Sequence, residues 1–259
     1  MLPIRITPAT RRRRLAAVIL SGAIAAVASC AARAAETNVA VAANFTDPAK
    51  EIAQLFQSRT GHKAILSFGA TGQFYAQITQ AAPFQVFLSA DQGTPRKLVD
   101  DGLAVGDSVF TYAVGRVVLF SRNAELVKGE QTLRDGRFNR IAIANPTTAP
   151  YGAAAVEVMK ALGVHDGLAA RIVQGSNIAQ TFQFVDTGNA ELGFVALSQV
   201  IARSGGSRWI VPTNLYTPIH QAAALLKNGA NSEAARAFVA FLKGAEAVAV
   251  IEKHGYGTE

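Results

Sequence analysis

N-V-A-V-A-A-N-F-T-D-P (Asn38–Pro48) joins a short apolar β-type run to a helix start. Asn38–Ala43 reads as a strand. Asp47-Pro48 supplies an N-cap followed by a proline at the first helical position, and Ile52, Leu55 and Phe56 then fall at helical spacing. The same alternation repeats downstream. Lys63–Ser67 is a second strand, Gly69-Ala70-Thr71-Gly72 a tight turn into a helix through Ile78, Gln85–Ser89 a third strand, and Thr94-Pro95 another helix start. Such a βαβαβ series predicts a parallel sheet with helices on its faces.

The second half begins a similar series. Phe110–Phe120 is a longer β-rich stretch and Ile141–Ala144 a strand. A helix follows Pro150-Tyr151-Gly152, with Ala155, Val158, Met159 and Leu162 on one face. Arg171–Val173, a helix after Ser176-Asn177, and Leu192–Ala196 continue it. Trp209–Val211 follows, and His220–Leu226 precedes two closing helices, the first carrying Ala235, Phe238, Val239 and Leu242 on one stripe and stopped by Gly244. The expectation is an α/β chain of two lobes, with strands crossing between them near Thr111–Gly115 and Tyr216–His220. Residues 35–113 with 218–259 would form the first lobe and 114–217 the second.

The chain has 259 residues, 25 basic and 18 acidic, for a formal charge of +7. Six of the arginines lie in residues 1–34, which hold no acid; without that segment 19 basic residues face 18 acidic, a net of +1. The excess charge belongs to the leading segment, which argues against a nucleic-acid-binding face on the body. Arg11–Arg14 form a positive region, Leu15–Ser29 an apolar stretch, and Ala32-Arg33-Ala34 an A-x-A site, so residues 1–34 read as an export signal cleaved after Ala34. Val27-Ala28-Ser29-Cys30 also resembles a lipoprotein processing box, which would keep Cys30 as a lipid-carrying N-terminus. The arginine run faintly resembles a twin-arginine signal. Cleavage after Ala34 leaves 225 residues and no cysteine, which excludes disulfides and thiol catalysis.

Catalytic patterns are lacking. His62, His165, His220 and His254 are far apart and without metal-ligand spacing, and no GxSxG, P-loop or GxGxxG occurs. Asp91 reads as a loop or cap carboxylate. What recurs instead is a strand end running straight into a helix start built from small, amide- or hydroxyl-bearing residues: Ala43-Asn44-Phe45-Thr46, Gly69-Ala70-Thr71-Gly72, Pro150-Tyr151-Gly152 and Ser176-Asn177-Ile178. First-turn N–H groups lack intrahelical partners and the helix dipole favours negative charge there. Four such ends on one cleft would form an anion site, although each loop alone reads more readily as ordinary N-capping. No lysine or arginine lies in the four loops.

Val39–Thr46, Leu66–Ile78, Ala82–Asp91, N-P-T-T-A-P-Y-G (Asn145–Gly152), L-G-F-V-A-L-S-Q (Leu192–Gln199) and the ending K-G-A-E-A-V-A-V-I-E-K-H-G-Y (Lys243–Tyr256) together resemble, in order, the periplasmic molybdate-binding proteins of ABC transporters. The resemblance implies a two-lobe type II periplasmic binding fold, each lobe a mixed, mostly parallel sheet flanked by helices, with a hinge of crossing strands. It implies an exported, monomeric, non-enzymatic protein without cofactor that captures molybdate or tungstate and hands it to a membrane permease. It also implies the oxyanion contacts. Asn44 would donate through its side chain and backbone, Thr71 through its hydroxyl, Tyr151 through its N–H and its phenol, and Ile178 through its N–H alone, with Ala43 against the ligand by its backbone. These residues would touch molybdate oxygens, and none would ligate the metal directly. Many members carry a tyrosine where this chain has Ala196, and Tyr151 is expected to supply the missing hydroxyl. Two further readings stand beside this one: a binding protein for another oxyanion or small solute, and a secreted α/β enzyme using Asp91 or a histidine.

Overall fold

The computed structural model describes residues 34–258 together with Leu2 and Pro3. The expected export signal and Cys30 lie outside the described residues. Strand β1 (Glu36–Ala42) runs through a single 3-10 turn, Ala43–Phe45, into helix α1 (Thr46–Thr60). Then come β2 (Lys63–Gly69), α2 (Thr71–Thr79), β3 (Val86–Leu88), α3 (Gly93–Asp100) and β4 (Phe110–Gly115). The next run is β5 (Val117–Ser121), α4 (Gln131–Asp135), β6 (Ile141–Ala144), α5 (Pro150–Ala161), α6 (His165–Leu168), β7 (Ile172–Gly175), α7 (Ile178–Asp186), β8 (Leu192–Ala196), α8 (Leu197–Val200) and β9 (Ser207–Ile210). Last are β10 (Ile219–Leu225), α9 (Glu233–Leu242) and α10 (Ala245–Lys253).

The strands form two five-stranded sheets, ordered β2-β1-β3-β10-β4 and β7-β6-β8-β5-β9. β2, β1 and β3 are parallel, as are β7, β6 and β8. β10 runs antiparallel to β3 and β4, and β5 antiparallel to β8 and β9. Each sheet is covered on both faces, and alternation along its strands sorts the core. Val39 and Val41 of β1 pack with Phe45, Ile52 and Phe56, whereas Ala40 between them packs with Phe74, Ile78 and Phe87. In β5, Val117 and Leu119 face one cluster and Val118 and Phe120 the other.

Three local departures from the sequence reading shape the site. α1 starts at Thr46, one residue before the expected Asp47 cap, and no side chain caps it. The 3-10 turn carries the strand directly into the helix, and Pro48 still falls in the first turn, where its missing N–H costs nothing. The expected four-residue turn at Gly69–Gly72 shrinks to Ala70, since β2 extends through Gly69 and α2 opens at Thr71. The stretch Phe110–Phe120 is two strands in different sheets. The crossing falls at Arg116, beyond the expected 113/114 boundary, because β4 stays paired with β10 as far as Gly115↔Ile219. The chain rejoins the first sheet at Ile219, after residues 211–218. Among the described residues no helix is long and apolar enough to cross a membrane.

Candidate functional site

Four strand-to-helix junctions meet at one small cavity. It is lined by Ala43 and Asn44 after β1, Thr71 at the start of α2, Tyr151 in the first turn of α5, and Ile178 at the start of α7. The first two junctions belong to the first sheet and the last two to the second, so the cavity lies between the lobes. All five residues are buried, at 2–4% exposure, and no charged residue lines the cavity.

Each junction delivers an N–H that the fold leaves unused. At α7, the Asn177 side chain caps the helix by accepting from the N–H groups of Ala179 and Gln180, at 2.9 and 3.0 Å. Thr181 N–H returns to the Asn177 carbonyl, and Ile178 N–H is left without an acceptor. At α5, Gly152 and Ala153 both donate to the Ala149 carbonyl and Tyr151 N–H is left over. At α2, Gln73 Oε1 accepts from Ala70 N–H and Phe74 N–H bonds back to Ala70, while Thr71 N–H has no partner. The N–H groups of Ala43 and Asn44 in the 3-10 turn are likewise unpaired. Buried backbone donors without partners are rare, and several facing one cavity mark a place for an acceptor. Thr71 adds a hydroxyl: its Oγ1 accepts from Ala90 N–H at 3.0 Å, which leaves its own O–H free to donate.

Two expected side-chain donors are turned elsewhere. The Asn44 amide hydrogens go to Gln221 Oε1 (2.7 Å) and Tyr256 Oη (3.0 Å), so Asn44 offers the cavity its backbone N–H and not its side chain. The phenol of Tyr151 points to the hinge, where Gln221 Nε2 lies 3.5 Å away. There it fills the space over Gly115, which no residue with a Cβ could leave open. The hydroxyl expected to stand in for the one lost at Ala196 is therefore not aimed at the cavity. The physical reason is a buried polar cluster that sequence reading missed: Asn44, Tyr112, Tyr151, Ser198, Gln221 and Tyr256. A bulge between Gln221 and Ala222 in β10 accompanies the Gln221 side chain's inward turn. The contacts span up to 212 residues of sequence, so spacing carried no signal for them. Only the Gly255-Tyr256 ending and the buried serine in L-G-F-V-A-L-S-Q hinted at it.

Burial holds the Tyr151 and Tyr112 phenols well above the usual tyrosine range, and pushes Tyr256 up to about 12, so the cluster behind the cavity stays neutral. The site is thus built from donors, without a fixed positive or negative side chain. The lobes also touch directly. Gly72 N–H of α2 donates to the Thr148 carbonyl across the cleft at 2.9 Å, and a Cβ on Gly72 would lie 3.1 Å from Thr148 Cα.

Asp91 and three of the histidines considered for catalysis have partners within the fold. Asp91, just ahead of α3, accepts from Thr94 N–H in its first turn at 2.6 Å. His254 pairs with Glu51 at 3.0 Å, His165 with Asp166 at 3.0 Å, and His62 lies 4.0 Å from Glu233. Among the described residues no group of three His, Cys, Asp or Glu side chains is placed to hold a metal ion.

A family model described as bacterial extracellular solute-binding protein matches residues 37–257. The molybdate-binding protein ModA of Rhodobacter capsulatus is 54% identical over 228 residues, 88% of this chain and 90% of that protein. ModA of Azotobacter vinelandii is 53% identical over 239 residues, 91% of this chain and 95% of that protein. The solved periplasmic molybdate-binding protein of Azotobacter vinelandii superposes with a TM-score of 0.83 at 40% identity, covering 86% of this chain and 99% of that one. Its two-lobe frame is the one described above, and this chain belongs to the family of bacterial extracellular solute-binding proteins.

Proposed function

We propose that this protein captures molybdate, and tungstate with it, between its lobes outside the cytoplasm and delivers it to the permease of an ABC transporter. The observation that carries the reading is the convergence of unpaired N–H groups from Asn44, Thr71, Tyr151 and Ile178, with the Thr71 hydroxyl, on a cavity free of charged side chains. The ModA relatives support the choice of ligand.

A cage of donors suits a fully deprotonated tetrahedral dianion. Hydrogen phosphate carries an O–H that would need an acceptor, and leaving it unpaired costs about 1–3 kcal/mol. Sulfate has no such proton, so only cavity size discriminates against it. Hydrogen bonds to a charged group contribute about 1.5–3 kcal/mol each, and helix N-termini add their dipoles without a counter-charge to displace. Closure of the lobes then buries the anion and makes the form that docks on the permease. The exported chain acts as a monomer, with Cys30 lipidation as an alternative mode of retention.

Isothermal titration of the processed protein with molybdate, tungstate, sulfate and phosphate at neutral pH tests this. Molybdate and tungstate are expected to bind with micromolar to nanomolar affinity, about −8 to −12 kcal/mol. Sulfate is expected to be weaker, and phosphate to be weaker than molybdate by at least the roughly 5- to 150-fold that 1–3 kcal/mol represents. Sulfate binding as tight as molybdate refutes selection by size, and no binding of any of the four refutes the reading.

A further inference from the structure

The Asn44 carbonyl is gripped from both lobes. Tyr256 Oη donates to it at 2.7 Å and Ser198 Oγ at 2.8 Å, and the two hydroxyls lie 3.0 Å apart. A carbonyl has two lone pairs, so both can be accepted at once. Tyr256 belongs to the first lobe, where its ring packs edge-on against Phe45 at 5.3 Å. The tail that carries it is pinned by two backbone bonds between Gly257 and Val114 of β4. Ser198 belongs to the second lobe, in α8 directly after β8. The Ser198–Asn44 bond therefore crosses the cleft, and it forms at the residue whose N–H faces the anion cavity. Ser198 does not line that cavity and is itself 9% exposed.

We propose that Ser198 is a positioning residue for anion capture. It bonds the Asn44 carbonyl when the lobes close, and so couples closure to the loop that presents the Asn44 N–H. Tyr256 holds the same carbonyl within the first lobe whether or not the cleft is closed. In the open form Ser198 and the free lone pair of Asn44 are each solvated by water, and closure exchanges those waters for a buried bond. The ligand is thereby held by donors it touches and by one it does not.

This inference rests on the reading of oxyanion capture, so the unaltered protein is titrated with molybdate first. Ser198→Ala is then titrated, and the melting temperature of both proteins is measured without anion. The expected result is about a tenfold weaker molybdate affinity for Ser198→Ala, from a buried carbonyl that loses one partner on closure, with an unchanged anion-free melting temperature. A double-mutant cycle with Tyr256→Phe should be non-additive in molybdate affinity, because both hydroxyls serve one carbonyl. Molybdate binding by Ser198→Ala within twofold of the unaltered protein overturns the proposal. So does a fall in the anion-free melting temperature with affinity unaffected, which would make Ser198 a packing residue only. If the unaltered protein binds molybdate, these failures count against Ser198 alone; if it binds no oxyanion, the capture reading fails and this inference with it.

Discussion

Thr71 is a side chain that serves the fold and, in the proposed reading, the ligand as well. Its oxygen accepts the Ala90 N–H, and its O–H is left free to donate. Thr71→Val keeps the shape, strands the Ala90 N–H and deletes one charge-assisted donor, so molybdate affinity by calorimetry should fall by about 10- to 100-fold, following about 1.5–3 kcal/mol per such bond. Thr71→Ser should stay within about threefold. Ile178→Val should leave affinity unchanged, because only the backbone N–H is used; a large loss there would show that its side chain contributes. The strand-to-helix junctions that carry Thr71 and Ile178 were legible in the sequence because junction chemistry is local, while their part as oxyanion contacts came from the family resemblance. The Asn44 and Tyr151 side chains were not. Their orientation is set by Gln221, Tyr256 and Gly115, which sequence distance separates from them and only the hinge brings together.

At the scale of elements, helix starts determine the chemistry and sheet faces determine the stability. α1 seats Ile52 and Phe56, both fully buried, against Val39 and Val41 of β1, and so fixes the 3-10 turn that presents Asn44. Phe56 also meets Phe238 edge-on at 5.1 Å, tying α1 to α9. Phe56→Ala should destabilise the protein by about 3–5 kcal/mol, seen as a lower denaturation midpoint in urea. α2 makes the opposite point through Gly72. Replacing it with Ala raises helix propensity, so the anion-free melting temperature should hold or rise slightly. The new Cβ would crowd the Thr148 backbone when the lobes close, so molybdate affinity should fall tenfold or more. A Gly72→Ala protein with full affinity would mean that the cleft closes without that contact. Most elements could be read from periodicity, since β1, β6, β8 and the two C-terminal helices are governed by local apolar patterns. The short helices α4, α6 and α8 were not, being too brief to show a period. The break at Arg116 was hidden because Phe110–Phe120 is β-type on both sides of it, and only the change of partner strand divides it.

At the scale of the whole molecule, a neutral hinge and a donor-lined cleft act together. Tyr112, Tyr151 and Tyr256 are buried as neutral phenols, with folded-state pKa values above the ordinary tyrosine value near 10. A raised folded pKa means that its stabilising contribution is whole below about pH 10 and is lost as pH climbs through the folded value, about 12 for Tyr256. The melting temperature should therefore decline above pH 10, and Tyr256→Phe, which keeps the ring, should decline less steeply; equal slopes would place the loss elsewhere. The two-lobe α/β plan was visible in the sequence from its repeated strand–helix series. That the lobes meet so closely over Asn44 was not, because closure depends on contacts between distant segments. The central claim is that uncharged donors from both lobes enclose a tetrahedral dianion. It is tested most directly by anomalous diffraction at the molybdenum absorption edge from crystals grown with molybdate. A single molybdenum peak is expected among Asn44, Thr71, Tyr151 and Ile178, with no lysine or arginine touching its oxygens. A peak elsewhere, or one held by a charged side chain, contradicts the claim.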